Sequence, residues 1–147
     1  MKLPEYISID EVKRVCAALK LQDWTVRSNP QVSTAEAAVV LAEVNVEGMA
    51  IDVEDFRQGL EVELEHGLQF KDANVTNNHP VLTGKIVLAH FKESMEYYYR
   101  LEVAELEGDL FKATSTGKPE KIKGYYHRLA AARIRLAEAE LKSLEGK

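Results

Sequence analysis

The chain has 147 residues, 46% of them hydrophobic and 29% charged, with a net charge of −5 at pH 7. That length supports one domain with a proper core, and the acidic balance argues against binding dominated by nucleic-acid phosphates. Cys16 is the only cysteine, which excludes an intramolecular disulfide and a thiolate-based metal site on count alone.

The predicted elements are helices separated by short breaks. Ser8 and Glu11 have capping-box spacing, and Val12, Val15, Cys16 and Leu19 then recur at helical intervals, giving a first helix over about residues 9–20. Trp24 follows in a polar connection that ends at Asn29-Pro30. Ser33 and Glu36 form a second capping box, opening an alanine- and valine-rich helix over about residues 34–44. Gly48 lies in the break that follows and can take positive φ. Asp52, Glu54 and Asp55 suit the positive end of a third helix with the stripe Phe56, Leu60, Leu64, and Gly67 is placed to end it.

A polar loop from Leu68 to Pro80 needs side-chain hydrogen bonds to be ordered, and Pro80 fits the first turn of the next helix. The fourth helix is expected to run unbroken over residues 80–113, with Ile86, Ala89, His90, Glu93, Tyr97, Leu101, Ala104 and Phe111 on one side. The segment from Thr114 to Pro119 is the clearest turn. A fifth helix then reaches about residue 144, with Ile122, Tyr125, Leu129, Ala132 and Leu136 in register. Two long helices joined by a short turn fold back as an antiparallel hairpin. The expected fold is all-α, one domain over residues 1–147, with a smaller amino-terminal half packed on that carboxy-terminal hairpin.

Four residues stand out chemically. Glu63 and His66 lie three apart, as do His90 and Glu93, so each couple shares a helix face. Helices that each present such a couple can build a metal site in a bundle. Glu63, His66, His90 and Glu93 are therefore a candidate ligand set for a divalent metal; imidazole with carboxylate suits iron, zinc or manganese. The competing expectation is structural: Glu63 and His66 reach water where the helix ends, and His90 pairs internally, for example with Glu63. His79 reads as a loop or helix-entry residue and His127 as a surface or hairpin-seam residue. No serine or cysteine nucleophile has a readable partner, and Ser115-Thr-Gly-Lys lacks the glycine spacing of a phosphate loop. Catalytic residues are unknown, and enzymatic activity is undecided.

The run from Phe56 to Gly67, then Asn74 to Pro80, then Thr83 to His90, then Glu93 and Tyr97 to Leu101, resembles a small family. Its members are bacterial, archaeal and phage proteins known as a domain of unknown function (DUF5661-like). The specific part is Glu65-His-Gly67 combined with Ala89-His-x-x-Glu93. The resemblance implies that the Glu63/His66 and His90/Glu93 segments define the family, and it brings no established activity. Relatives tend to carry acids where this chain has Asn78-His79, and Pro-Asp where it has Met95-Glu96. If those loop acids are ligands in relatives, the site is altered here.

Charge is unevenly spread. Seven acids face two bases between Asp52 and Asp72, while six bases face Glu120 alone between Lys118 and Arg135. The two regions either attract each other, within the fold or between subunits, or are solvated helix faces. Apolar residues off the main stripes, Leu88, Phe91 and Met95 and then Ile134, Ala137 and Leu141, suggest a homodimer unless other helices cover them. No apolar run approaches the ~18 residues of a membrane span. The first residues lack the apolar core of a signal peptide, so the expected location is cytoplasmic. The expected function is thus open between a metal-binding helical protein, possibly oxidoreductase-like, and a non-enzymatic accessory protein.

Overall fold

The computed structural model describes residues 6–145. The amino-terminal segment read for a signal peptide lies in part outside them. The described residues contain α-helices and one 3₁₀ turn, with no strand. The helices are α1 (Ile9–Ala18), α2 (Thr34–Val44), α3 (Val53–Gln69), α4 (Pro80–Glu93), α5 (Tyr97–Ser115) and α6 (Pro119–Glu145); the 3₁₀ turn is Trp24–Val26. Among the described residues, no helix is long and apolar enough to cross a membrane. The chain divides into two compact units, one ending at Lys92 and the other starting at Glu93. The amino-terminal unit is therefore the larger, not the smaller, because α4 belongs to it.

Helix starts follow the local chemistry. Ser33 Oγ accepts from the Glu36 N–H at 3.2 Å while Glu36 Oε2 accepts from the Ser33 N–H at 3.2 Å, a complete capping box. The first box is only half made. Ser8 Oγ accepts from Glu11 N–H at 3.2 Å, but the Glu11 carboxylate turns to Arg14 at 2.6 Å. Asp52 Oδ1 caps α3 by accepting from Glu54 N–H at 2.8 Å. Gly48, at φ +71°, takes the left-handed conformation that its position after α2 requires.

The long fourth helix of the sequence expectation is two helices. Ser94, Met95 and Glu96 interrupt it: Ser94 Oγ accepts from the Glu96 N–H at 3.3 Å and donates to Glu96 Oε2 at 2.9 Å. Such side-chain-to-backbone bonds offer the chain an alternative to the helical ladder. The break also ends the face that was expected to continue from Ile86 to Phe111. In α4 the buried positions are Pro80, Thr83, Gly84, Val87, Leu88 and Phe91. Ile86 and Ala89 are exposed, so the inward stripe is rotated from the one expected.

The core of the amino-terminal unit holds Val12, Cys16, Trp24, Ala37, Val40, Phe56, Leu60, Leu64 and Val87. Trp24, expected in a merely polar connection, is fully buried. Its indole N–H donates to Glu36 Oε1 at 3.2 Å, and Arg27 Nη2 donates to the same oxygen at 2.6 Å. Burial alone would raise the Glu36 pKa. The bonds from Arg27, Trp24 and Ser33 outweigh it and hold the carboxyl below its ordinary value. At Gly84 a Cβ would lie 2.6 Å from Val40 Cγ1, 3.3 Å from Val44 Cγ1 and 3.5 Å from Phe56 Cζ. The missing side chain lets α4 approach α2 and α3.

In the carboxy-terminal unit α5 and α6 form the expected antiparallel hairpin. Leu106, Leu129 and Ala132 are its core, with Val103, Leu110 and Tyr125 packed against them. Gly117, at φ +66°, makes the turn after α5. Arg133 pairs with Glu107 at 2.7 Å, Arg135 with Glu102 at 2.7 Å and Arg100 with Glu140 at 2.6 Å. The basic stretch of α6 is thus partly neutralised by acids of its own hairpin. These pairs are exposed, and such pairs are worth about 0–1 kcal/mol each.

Replacing Gly84 by Ala should lower the unfolding free energy by about 1–3 kcal/mol through overpacking, despite alanine's gain of up to ~1 kcal/mol in helix propensity. Chemical denaturation of the variant beside wild type measures it; equal stability would mean that α4 can back away from Val40 without cost.

Candidate functional site

Glu63 and His90 meet. His90 Nε2 lies 3.5 Å from Glu63 Oε1, with the side chains 27% and 17% exposed. Each helix delivers its residue from the edge of its buried stripe. Glu63 neighbours Leu60 and Leu64 on α3, and His90 neighbours Val87 and Phe91 on α4. This is the internal pairing that the sequence offered as the alternative to metal ligation. Chemically it is a carboxylate and an imidazole able to share a proton or to hold a cation from two sides.

The other two candidates stand apart in environment. His66 is exposed on α3, its ring 6.5 Å from that of Phe70. The helix does not stop at Gly67 as expected but runs on to Gln69. Glu93 is the exposed last residue of α4. Among the described residues, no group of three or more His, Cys, Asp or Glu side chains could hold a metal ion.

Glu63 and His66 both line a cavity of about 220 Å³, together with Gly67, Phe70, Asn74, Thr76, Asn78 and Ile86. The wall opposite α3 is the polar loop, and its order comes from side-chain hydrogen bonds, as its composition required. Asn74 Nδ2 donates to Gly67 O at 3.1 Å and to Asn78 Oδ1 at 2.9 Å. Asn77 Nδ2 donates to Ile7 O at 2.6 Å, tying the loop to the segment before α1. Asn77 and Asn78 both have positive φ, at 49° and 57°, a region that asparagine tolerates better than most residues. Gly67 serves this loop rather than ending α3. A Cβ there would lie 2.1 Å from Asn78 Oδ1 and 3.0 Å from Asn74 Nδ2.

His79 is the helix-entry residue that the sequence suggested. It is buried, and its Nδ1 accepts from the Leu82 N–H at 3.3 Å, capping α4 before Pro80. That bond requires Nδ1 to be unprotonated. Burial lowers the His79 pKa below its ordinary value of 6.5, Glu11 opposing the shift and Arg14 adding to it. Sequence reasoning missed Arg27 and the interior role of Glu36. Glu36 was legible as a capping residue, but no spacing rule links it to an arginine in the preceding loop.

An all-helical protein with a paired His–Glu couple and an asparagine-pinned loop is the class that this geometry defines. A family model described as protein of unknown function (DUF5661) matches residues 12–107. The chain belongs to that family, and the match extends well beyond the segment 56–101 that carried the resemblance. No curated protein and no solved structure matches the chain.

Because the folded pKa of His79 is depressed, its contribution to stability is full above about pH 6.5 and falls as pH drops toward the folded value. His79→Asn replaces the capping Nδ1 by an amide oxygen that can accept the same N–H, and removes the titration. The difference in stability between wild type and variant should therefore depend on pH across that window. A pH-independent difference would mean that the cap survives protonation.

Proposed function

We propose that the chain is a non-enzymatic accessory protein whose His–Glu pair fixes the α3–α4 arrangement and whose hairpin serves association. The observation that carries this reading is the pairing of Glu63 with His90 inside the fold; among the described residues no group of three or more His, Cys, Asp or Glu side chains is gathered to hold a metal. A polar pair at the edge of a core can specify register without any ligand. On this reading the protein purifies without stoichiometric metal, chelator leaves its melting temperature unchanged, and His90→Ala costs about 1–2 kcal/mol from the lost pairing.

A second reading keeps the divalent metal, iron, zinc or manganese, with Glu63, His66, His90 and Glu93 as ligands. It is favoured by the approach of an imidazole nitrogen and a carboxylate oxygen at 3.5 Å, with His66 on the same cavity as Glu63. Elemental analysis separates the two. Stoichiometric metal that is lost in His90→Ala, with a chelator-sensitive melting temperature in wild type only, would establish the metal reading and end the first.

For the hairpin we propose a homodimer. Ile134, Leu141 and Leu144 of α6 are 60%, 55% and 72% exposed, and Phe111 of α5 is 75% exposed. Such side chains are the ordinary material of a symmetric helical interface. Light scattering should give a dimer that Leu141→Glu converts to monomer without loss of helicity; a monomer across a wide concentration range removes the proposal. Nucleic acid is a poor partner for an acidic chain, and a cytoplasmic location remains the simplest one for a helical chain with one cysteine.

A further inference from the structure

The cavity between α3 and the asparagine-pinned loop has apolar walls that the Glu63–His90 pair does not explain. Three large apolar side chains line it and stay open to solvent: Phe70 is 50% exposed, Val75 81% and Ile86 37%. They come from the end of α3, the loop and α4 in turn. A single exposed apolar side chain needs no explanation, but several gathered at one concavity mark a binding site.

The loop wall is held by hydrogen bonds rather than by apolar packing. Asn74 bonds to Gly67 O and Asn78 Oδ1, and Asn78 Oδ1 stands where a Gly67 Cβ would be. Asn77 and Asn78 take left-handed backbone here, a conformation that persists where the surroundings fix it and that gathers at ligand sites. A concavity fixed in advance loses little freedom when a ligand enters.

Charge selects the ligand class. Among the described residues that line the cavity, Glu63 is the one carboxylate, and there is no lysine or arginine. Its neighbours His90, with Nε2 at 3.5 Å, and His66, on the same cavity, are imidazoles, which offset a carboxylate's charge only when protonated. A neutral ring leaves that negative charge to a ligand cation, whereas an anion meets Glu63 with no base to oppose it. The surrounding segment has the same sign, with seven acids against two bases between Asp52 and Asp72. Volume sets the size. At about 220 Å³ the cavity exceeds the ~150 Å³ apolar cavity that takes up benzene and falls short of the ~300 Å³ at which drug-sized pockets begin.

We propose that this cavity binds a small apolar amine in its ammonium form, about one ring in size, with the ammonium donating to the Glu63 carboxylate and the apolar body against Phe70, Val75 and Ile86. The proposal requires Glu63 to be without metal, as in the first reading above. Elemental analysis of the same sample decides that point separately: bound metal would end the first reading, while titration of the chelator-treated protein still decides this one.

The test titrates the full chain, after chelator treatment, with benzylammonium, benzyl alcohol and benzoate, followed by amide NMR at Gly67, Asn74 and Asn78. Benzylammonium should shift these signals saturably, with half-saturation at about millimolar concentration for so small a ligand. Benzyl alcohol, which keeps the ring and loses the charge, should bind about tenfold more weakly, and benzoate not at all. Glu63→Gln keeps the shape of the side chain and should bring benzylammonium down to the level of the alcohol. Phe70→Ala, at a half-exposed position, should weaken the amine and the alcohol alike. If Glu63→Gln does not fold, the three ligands on wild type decide the question. Unshifted cavity signals, equal binding of amine and alcohol, benzoate binding as tight as the amine, or wild-type affinity for the amine in either variant each overturns the proposal.

Discussion

The buried carboxylate of Glu36 is the constraint on which the amino-terminal unit depends. One oxygen receives the Trp24 indole N–H, the Arg27 guanidinium and, at 3.4 Å, the Gln22 N–H; the other receives the Ser33 N–H and hydroxyl. An ionised carboxylate is costly to bury unless its lone pairs are met and its charge is opposed. Here both conditions hold, so the charge is retained and the carboxyl titrates lower, not higher. The consequence is architectural. A polar connection that no apolar rhythm would order is fastened to the start of α2, and the largest aromatic side chain in the chain is drawn into the core.

The same logic, with weaker partners, governs the other end of the unit. The loop between α3 and α4 has little apolar surface with which to fold, and its asparagines bond to one another and to backbone carbonyls instead. Two consecutive left-handed residues are the conformational cost, and Gly67 supplies the room that Asn78 needs. His79 closes the arrangement as a cap on α4. Glu63 lines the cavity walled by this loop, and its pairing with His90 shares the loop's character: polar groups meeting each other at the margin of a hydrophobic interior.

At Gly67 and Gly84 glycine marks where helices and loops come close, whereas Gly48 and Gly117 turn the chain. Gly84 faces Val40, Val44 and Phe56, and Gly67 faces Asn74 and Asn78; in both cases the neighbour occupies the volume of a missing Cβ. Sequence rules for glycine near a helix end favour termination, which is why Gly67 read as the end of α3. Close approach is a property of the neighbour, and the neighbour is eleven residues further along in the chain for Asn78 and more than forty residues earlier for Val40.

What the sequence by itself determined is local. The helical class, the complete capping box at Ser33, the cap at Asp52, the start at Pro80 and the hairpin register through Leu129 and Ala132 all follow from spacing and from cap chemistry, whereas the pairing of Glu63 with His90 was one of two arrangements that spacing left open. The resemblance over residues 56–101 located the family correctly. Tertiary structure decided the rest. It split the expected fourth helix at Ser94–Glu96, where a serine hydroxyl competes with the helical ladder. It turned the inward face of α4 toward Val87, Leu88 and Phe91, left Glu93 exposed at a helix end, and buried Trp24, Arg27 and Glu36 together. Periodicity reports which residues share a face, but only the packing partner selects the face that is covered, and a buried ion pair between a loop and a helix leaves no periodic trace at all.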